Sequence, residues 1–289
     1  MSEPLAWNGF TQGALDAAYD NMAAVADSAD RLADWSRRSA LLRGRQPDEV
    51  DIPYGPGPRQ GFDMFRCGAV DAPMLVFIHG GWWQRNSRQV FSCMAEGPMA
   101  LGLDVALIGY TLAPDARLAQ IAAEVRAALG GIAARQALQG RTCRFVLSGW
   151  SAGGHLTALC LDHPNVAAGL SISGVFDLEP VRRSYINDKL KLDDAEAAEL
   201  SPVRRPPLDR PLSLAYGLGE LPELKRQSAD FAALRRRQGA PAAGLALEGH
   251  DHFSILEELA SADGALAREA RRLADRDALE MDVASWPPA

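Results

Sequence analysis

Short apolar runs of strand length recur through the middle of the chain, at 74–78, 105–108, 145–147, 170–172, 212–215 and 245–247. Helical stretches lie between most of them, at 87–101, 117–138, 152–161 and 222–238. Buried strands alternating with amphipathic helices predict an α/β protein: a mostly parallel central sheet with helices on both faces. Ahead of this core, residues 11–44 read as helical, with Leu15, Tyr19 and Met22 spaced for one face and Val25, Leu32, Trp35 and Leu41 following less regularly. Gly44 and Pro47 end that region, and the turn-rich DIPYGPGPRQG (51–61) connects it to a strand-like FDMFRC (62–67). The rhythm breaks between Gly174 and Pro211, a charged segment ending in the proline-rich SPVRRPPLDRP. It reads as a small cap, an excursion over the strand ends. The expected organisation is one domain over 1–289, with a helical lead-in at 1–50, a cap at 174–211 and a loosely attached tail after about Arg276.

Composition narrows the function classes. The 289 residues are 47% hydrophobic and 23% charged, which excludes disordered, collagen-like and coiled-coil readings. With 30 Lys+Arg against 37 Asp+Glu the formal charge is −7, which favours neither nucleic acid nor an anionic membrane surface as partner. The four cysteines, Cys67, Cys93, Cys143 and Cys160, form no CxxC pair and read as reduced thiols, mostly buried. The opening MSEPLAWNGF lacks a basic segment followed by an apolar run, so a cytoplasmic location is expected by default. No apolar stretch is long enough to span a bilayer.

The strongest chemical signal is Gly149-Trp150-Ser151-Ala152-Gly153, a G-x-S-x-G pattern directly after the apolar run 145–147. A sharp strand-to-helix turn needs small neighbours, and it would hold the Ser151 hydroxyl at the strand's C-terminal end as a nucleophile. The second is His79-Gly80-Gly81-Trp82-Trp83, after the run 74–78. Consecutive glycines let main-chain N–H groups turn toward a developing alkoxide, so the amides of Gly81, Trp82 and Ala152 are the expected oxyanion hole. One such donor is typically worth about 3–4 kcal/mol of barrier. Metal ligation by His79 is not expected, because no second ligand stands at suitable spacing.

A serine nucleophile needs a base, and the base needs a carboxylate to orient it. Of the five histidines only His250 and His252 follow the last strand, where nucleophile–acid–base order puts the base. His252 is preferred, since Asp-His-Phe opens the helical pattern SILEELA; His155, four residues past Ser151, reads as packing. Glu220, in the loop after 212–215, is the expected acid. Glu223, three residues on, suits the first turn of the next helix, and Asp209 and Asp177 are outsiders.

With these residues placed, the chain resembles the α/β-hydrolase fold and, within it, the serine-dependent kynurenine formamidase (arylformamidase) branch. The segments YDNMAAVADSADRLADWSRRSA, DIPYG with FDMF, HGGWWQ, GYTLAP, GWSAGGHL, SGVFDLEPV, SYINDKLKLD with a later LSPV, ELPELKRQS and DHFSILEEL follow that branch in order, from about residue 17 to 260. HGG and G-x-S-x-G alone fit any esterase of the hormone-sensitive-lipase type; SGVFDLEPV, SYINDKLKLD and ELPELKRQS are more specific. The resemblance implies Ser151 as nucleophile, Glu220 as acid and His252 as base, no cofactor or metal, and a small-molecule substrate of tryptophan catabolism. A homodimer is left open. Glu220 stands where eukaryotic members usually carry Asp, and Trp82 where Tyr is commoner. Trp82, Trp83 and Phe176 suit either a substrate-stacking or a packing role. The implied reaction is hydrolysis of an N-formyl arylamine, with a carboxylesterase for small acyl or aryl esters as alternative. A non-catalytic binding protein is the third reading, although no triad member is missing.

Overall fold

The computed structural model describes residues 4–46, 49–141 and 144–275; Pro47, Cys143 and the tail after 275 lie outside them. Near the N-terminus β1 (Leu5–Trp7) and β2 (Phe10–Thr11) form a small antiparallel pair. The region read as one helical stretch is three helices: α1 (Gln12–Ala17), α2 (Asn21–Ala24) and α3 (Ser28–Arg45). The Thr11 side chain caps α1 and the Asp20 side chain caps α2 by accepting from Ala23 N, so a residue that looks like part of a polar face starts a new helix.

Eight strands then build the main sheet among the described residues. They are β3 (Ile52–Pro53), β4 (Gly61–Phe65), β5 (Met74–Ile78), β6 (Asp104–Ile108), β7 (Phe145–Trp150), β8 (Val166–Ile172), β9 (Leu212–Gly217) and β10 (Ala242–Leu247). Their order across the sheet is β10-β9-β8-β7-β5-β6-β4-β3. Pairing is parallel from β10 to β6 and antiparallel at β4 and β3. All five residues of β5 are buried. Met74, Val76 and Ile78 enter one core with Val125 and Leu129 of α5 (Leu118–Leu138) and Leu156 of α6 (Ala152–Leu159). Leu75 and Phe77 enter the other, with Trp35 of α3, Leu259 and Leu273. A strand covered on both faces has no reason to alternate polar with apolar, and each such side chain contributes about 1.5–3 kcal/mol on burial.

The stretch expected as a helix over 87–101 is two 3-10 turns, Arg88–Val90 and Ser92–Ala95, followed by α4 (Glu96–Ala100). Ser39 of α3 explains the opening: its hydroxyl donates to Val90 O and accepts from Cys93 N, taking over main-chain groups that a continuous helix would use. The lead-in is also tied down by charge, because buried Asp63 in β4 pairs with Arg43 of α3 and with Arg88. The excursion at 174–211 carries α7 (Glu179–Arg183), α8 (Asn187–Leu190) and α9 (Asp194–Leu200). It is bonded to the lead-in through Gln12 Nε2 to Arg183 O (3.0 Å) and Tyr185 N to Asp16 Oδ1 (2.8 Å), and to the loop after β5 through Gln84 Nε2 to Ile186 O (2.7 Å). The remaining helices are α10 (Pro222–Arg237), α11 (Glu257–Ala260) and α12 (Ala265–Ala274). Among the described residues, no helix is long and apolar enough to cross a membrane.

Candidate active site

Ser151 sits between β7 and α6 with φ 57° and ψ −118°, a left-handed conformation that a non-glycine residue holds only at a cost of order 1–3 kcal/mol. Close backbone packing enforces it. A Cβ on Gly153 would overlap the carbonyl oxygen of Ile78 at the end of β5, and one on Gly149 would overlap Gly153. The two glycines of the motif are therefore where α6, β7 and β5 touch main chain to main chain. Ser151 N donates to Ile172 O of β8 at 2.8 Å, fastening the turn from the other side.

The loops after β9 and β10 meet beside this turn. Gly219 N donates to His250 O at 2.9 Å, and this crossing brings Glu220 to His252. His252 Nδ1 lies 2.9 Å from Glu220 Oε2, with both side chains almost completely buried. The other carboxylate oxygen, Oε1, accepts from Ser173 Oγ (2.6 Å) and from Gly217 N (2.7 Å). Three donors thus converge on one carboxylate, which is what a buried anion requires. The His252 loop is fixed by Asp251, whose Oδ1 accepts from Phe253 N and Ser254 N, both at 2.8 Å. Trp150, the variable residue of the elbow motif, donates from Nε1 to His252 O (2.8 Å) and lays its ring 4.9 Å from the imidazole.

The alternatives weighed from sequence lie in other surroundings. Glu223 pairs with Arg226 at 2.7 Å and meets Tyr19 Oη at 3.4 Å. His250 Nε2 faces Glu258 at 3.2 Å. His155 points its Nε2 at Leu200 O (2.8 Å), and burial pushes its pKa down to about 4. His79 stacks on Tyr110 at 4.4 Å, and burial pushes it down to about 3. Both imidazoles are held neutral in the core.

The loop after β5 closes against the elbow, since a Cβ on Gly80 would stand 2.9 Å from Ser151 Cβ. Gly81, Trp82 and Trp83 follow, all at positive φ (116°, 51° and 58°). A cavity of about 60 Å³ opens here, lined by Ser151, His252, Trp150, Phe253, Gly81, Trp82, Arg85 and Asn86, and by Asn21, Met22 and Leu32 from the lead-in. No hydrogen bond joins Ser151 to His252 among the described residues, as is common before substrate tightens such contacts. Trp83 and Phe176, candidates for ring stacking, are core residues instead. Trp83 is fully buried edge-on to His155 at 5.0 Å, and Phe176 stacks on Phe231 of α10 at 4.6 Å. Trp82 alone of the three reaches the cavity.

Sequence reasoning missed Ser173, whose only signal is its place directly after β8. It also missed the cavity-lining Asn21, a polar residue inside the apolar pattern of the lead-in. Among the described residues, no group of three or more His, Cys, Asp or Glu is placed to hold a metal.

Comparison with known proteins fits this architecture. The BD-FAE family model matches residues 66–171. Kynurenine formamidase of Salmo salar is 27% identical over 238 residues, covering 76% of this chain and 80% of that protein. Kynurenine formamidase of Drosophila melanogaster is 29% identical over 254 residues, covering 80% and 84%. A crystal structure from Silicibacter sp. TM1040, provisionally assigned as a thioesterase, superposes with a TM-score of 0.77 at 30% identity, covering 88% of this chain and 97% of that one. The chain belongs to the α/β-hydrolase family. Its relatives make it an enzyme of the hydrolase class, and the elbow, the buried His252–Glu220 pair and the glycine loop converge where its strands end.

Proposed function

We propose that this hydrolase cleaves an N-formyl arylamine of the N-formylkynurenine kind to formate and the free aryl amine, through Ser151, His252 and Glu220. The observation that carries the reading is the buried His252–Glu220 pair, with His252 lining the same small cavity as the strained Ser151. Ser151 Oγ attacks the formyl carbon while His252 takes its proton. With Nδ1 donating to Glu220, Nε2 is the nitrogen left to act as base. The oxyanion faces the amides of Gly81, Trp82 and Ala152, none of which donates to a backbone acceptor among the described residues. The imidazolium, steadied by Glu220, protonates the leaving aniline nitrogen, and water releases formate by the same route.

Two further points support the formamide. The acyl carbon of a formyl group carries only hydrogen, which suits a cavity of about 60 Å³. The kynurenine formamidases of Salmo salar and Drosophila melanogaster resemble this chain over most of its length. A second reading, hydrolysis of small acyl or aryl esters, is favoured by the likeness to esterase LipC of Mycobacterium tuberculosis, 32% identical over 130 residues. Specificity constants decide between them. N-Formylkynurenine should exceed short p-nitrophenyl esters, and a constant no better for the formamide removes the first reading.

A fluorophosphonate probe tests both readings at Ser151. It should label the wild type and spare Ser151→Ala; equal labelling of the two refutes catalysis through Ser151.

A further inference from the structure

Asn21 presents an unusual combination. It is 4% exposed, it lines the cavity that holds Ser151 and His252, and neither Oδ1 nor Nδ2 has a hydrogen-bond partner among the described residues. Leaving a buried amide unpaired typically costs about 1–3 kcal/mol per group. Packing alone would be met better by Leu, which has nearly the same shape and no polar atoms. Helix capping does not account for the residue either, because Asp20 already caps α2 through Ala23 N at 3.1 Å. The neighbouring Tyr19 is engaged with Gln227 (3.0 Å) and Glu223, and its ring rests edge-on against Trp82 at 5.9 Å, so the segment bearing Asn21 is docked on the glycine loop.

We infer that Asn21 is a specificity-determining residue whose Oδ1 accepts the N–H of the scissile amide, selecting amide over ester substrates. The inference rests on the formyl-arylamine reading and adds to it the group that recognises nitrogen. The chemistry gives that acceptor work to do. When Ser151 Oγ forms its bond to the formyl carbon, the carbonyl electron pair moves to oxygen and the nitrogen acquires a lone pair directed away from the new bond. That lone pair must turn toward His252 to receive the proton before the C–N bond breaks, and an acceptor for the N–H on the opposite side favours the turned form. An ester oxygen carries no hydrogen and needs no such acceptor. Facing an ester, Asn21 Oδ1 stays unpaired, which is how a buried polar group rejects the analogue lacking its partner.

The test compares formanilide with phenyl formate, which share acyl group and ring and differ at the leaving atom, background hydrolysis being subtracted. Both are measured on wild type, Asn21→Leu and Asn21→Ala, each also labelled with a fluorophosphonate. Expected is a drop of tenfold or more in kcat/KM for formanilide in both variants, with phenyl formate turnover and labelling rate within threefold of wild type. Retained ester turnover shows that the variants fold. A formanilide-to-ester ratio unchanged from wild type overturns the role of Asn21 and leaves the formamidase reading standing. Parallel loss of both activities and of labelling makes Asn21 structural and also overturns the inference. Wild type that cleaves only the ester sinks the formamidase reading itself, and the inference with it.

Discussion

On one side of the cavity Ser151, Glu220 and His252 sit among glycines, strand ends and short hydrogen bonds; on the other, Asn21 and Met22 come from the short α2 and Leu32 from the long α3 of the lead-in. The first side, the floor, is made of main chain in contact with main chain: Gly153 on Ile78, Gly219 on His250, Ser151 on Ile172. The second, the roof, is joined to the rest by side chains. Among them are Trp35 Nε1 donating to Glu257 at 2.6 Å, the Arg43–Asp63 pair, and Tyr19 against Trp82. The floor leaves its key carboxylate with three donors, whereas the roof leaves a buried amide with none. Groups that must be correctly placed before substrate arrives are satisfied by protein; a group that reads substrate is left waiting for it.

The contrast is broken most severely at Ser151, the proposed nucleophile. Ser151→Ala should lower kcat on a formamide by about 10⁴-fold or more with the melting temperature held; a smaller loss would move the chemistry elsewhere. Glu220→Gln comes next. The amide keeps the shape but no longer stabilises an imidazolium, so a fall of about 10³–10⁴-fold in kcat is expected, with KM little changed.

Gly153→Ala tests the floor's backbone contact through stability. Its methyl has no room beside Ile78 O, and urea titration should show a loss of about 3 kcal/mol; a neutral result would mean that β5 and α6 can separate.

The neutral histidine in α6 gives a pH dependence. The pKa of His155 is depressed to about 4, while the unfolded chain titrates near the ordinary 6.5. Below pH 6.5 the unfolded state therefore binds the extra proton. The stability from keeping this imidazole neutral is full above 6.5 and drains away as pH falls toward 4, by up to about 1.4 kcal/mol per pH unit. His155→Gln should flatten that acid slope in urea titrations at pH 7, 6 and 5, and coincident slopes would refute it. The smallest effect belongs to the roof. Met22→Ala should raise KM about fivefold, near 1 kcal/mol of lost contact, with kcat unchanged.

Legibility in the sequence follows the same division. β5 was readable because Met74 to Ile78 are buried on both faces, and such a run needs no tertiary information. The floor was readable for a related reason: a sharp turn against a neighbouring strand admits only glycine at 149 and 153, so its geometry is written in residue types. The roof was not. The helix break at Tyr19–Asp20 depends on which side chain caps which amide, and Asp20 looks the same on a polar face as at a cap. Nor could residue type separate Trp82 from Trp83. They follow one another at positive φ, where strand alternation no longer tells which indole meets the cavity and which meets His155. Nor could it decide between the two roles open to Phe176, because its partner Phe231 lies in a helix far along the chain. Ser173 becomes visible only once β8 and the loop after β9 lie side by side.

The overlap that Gly153 avoids with Ile78 O has a bearing on engineering. The spacing between the Ser151 hydroxyl and the amides of residues 81 and 82 is set by backbone abutting backbone, so libraries that vary side chains will leave it as it is. Retargeting this scaffold to new acyl compounds is then a problem of rebuilding residues 19–32, with the reactive centre carried along untouched.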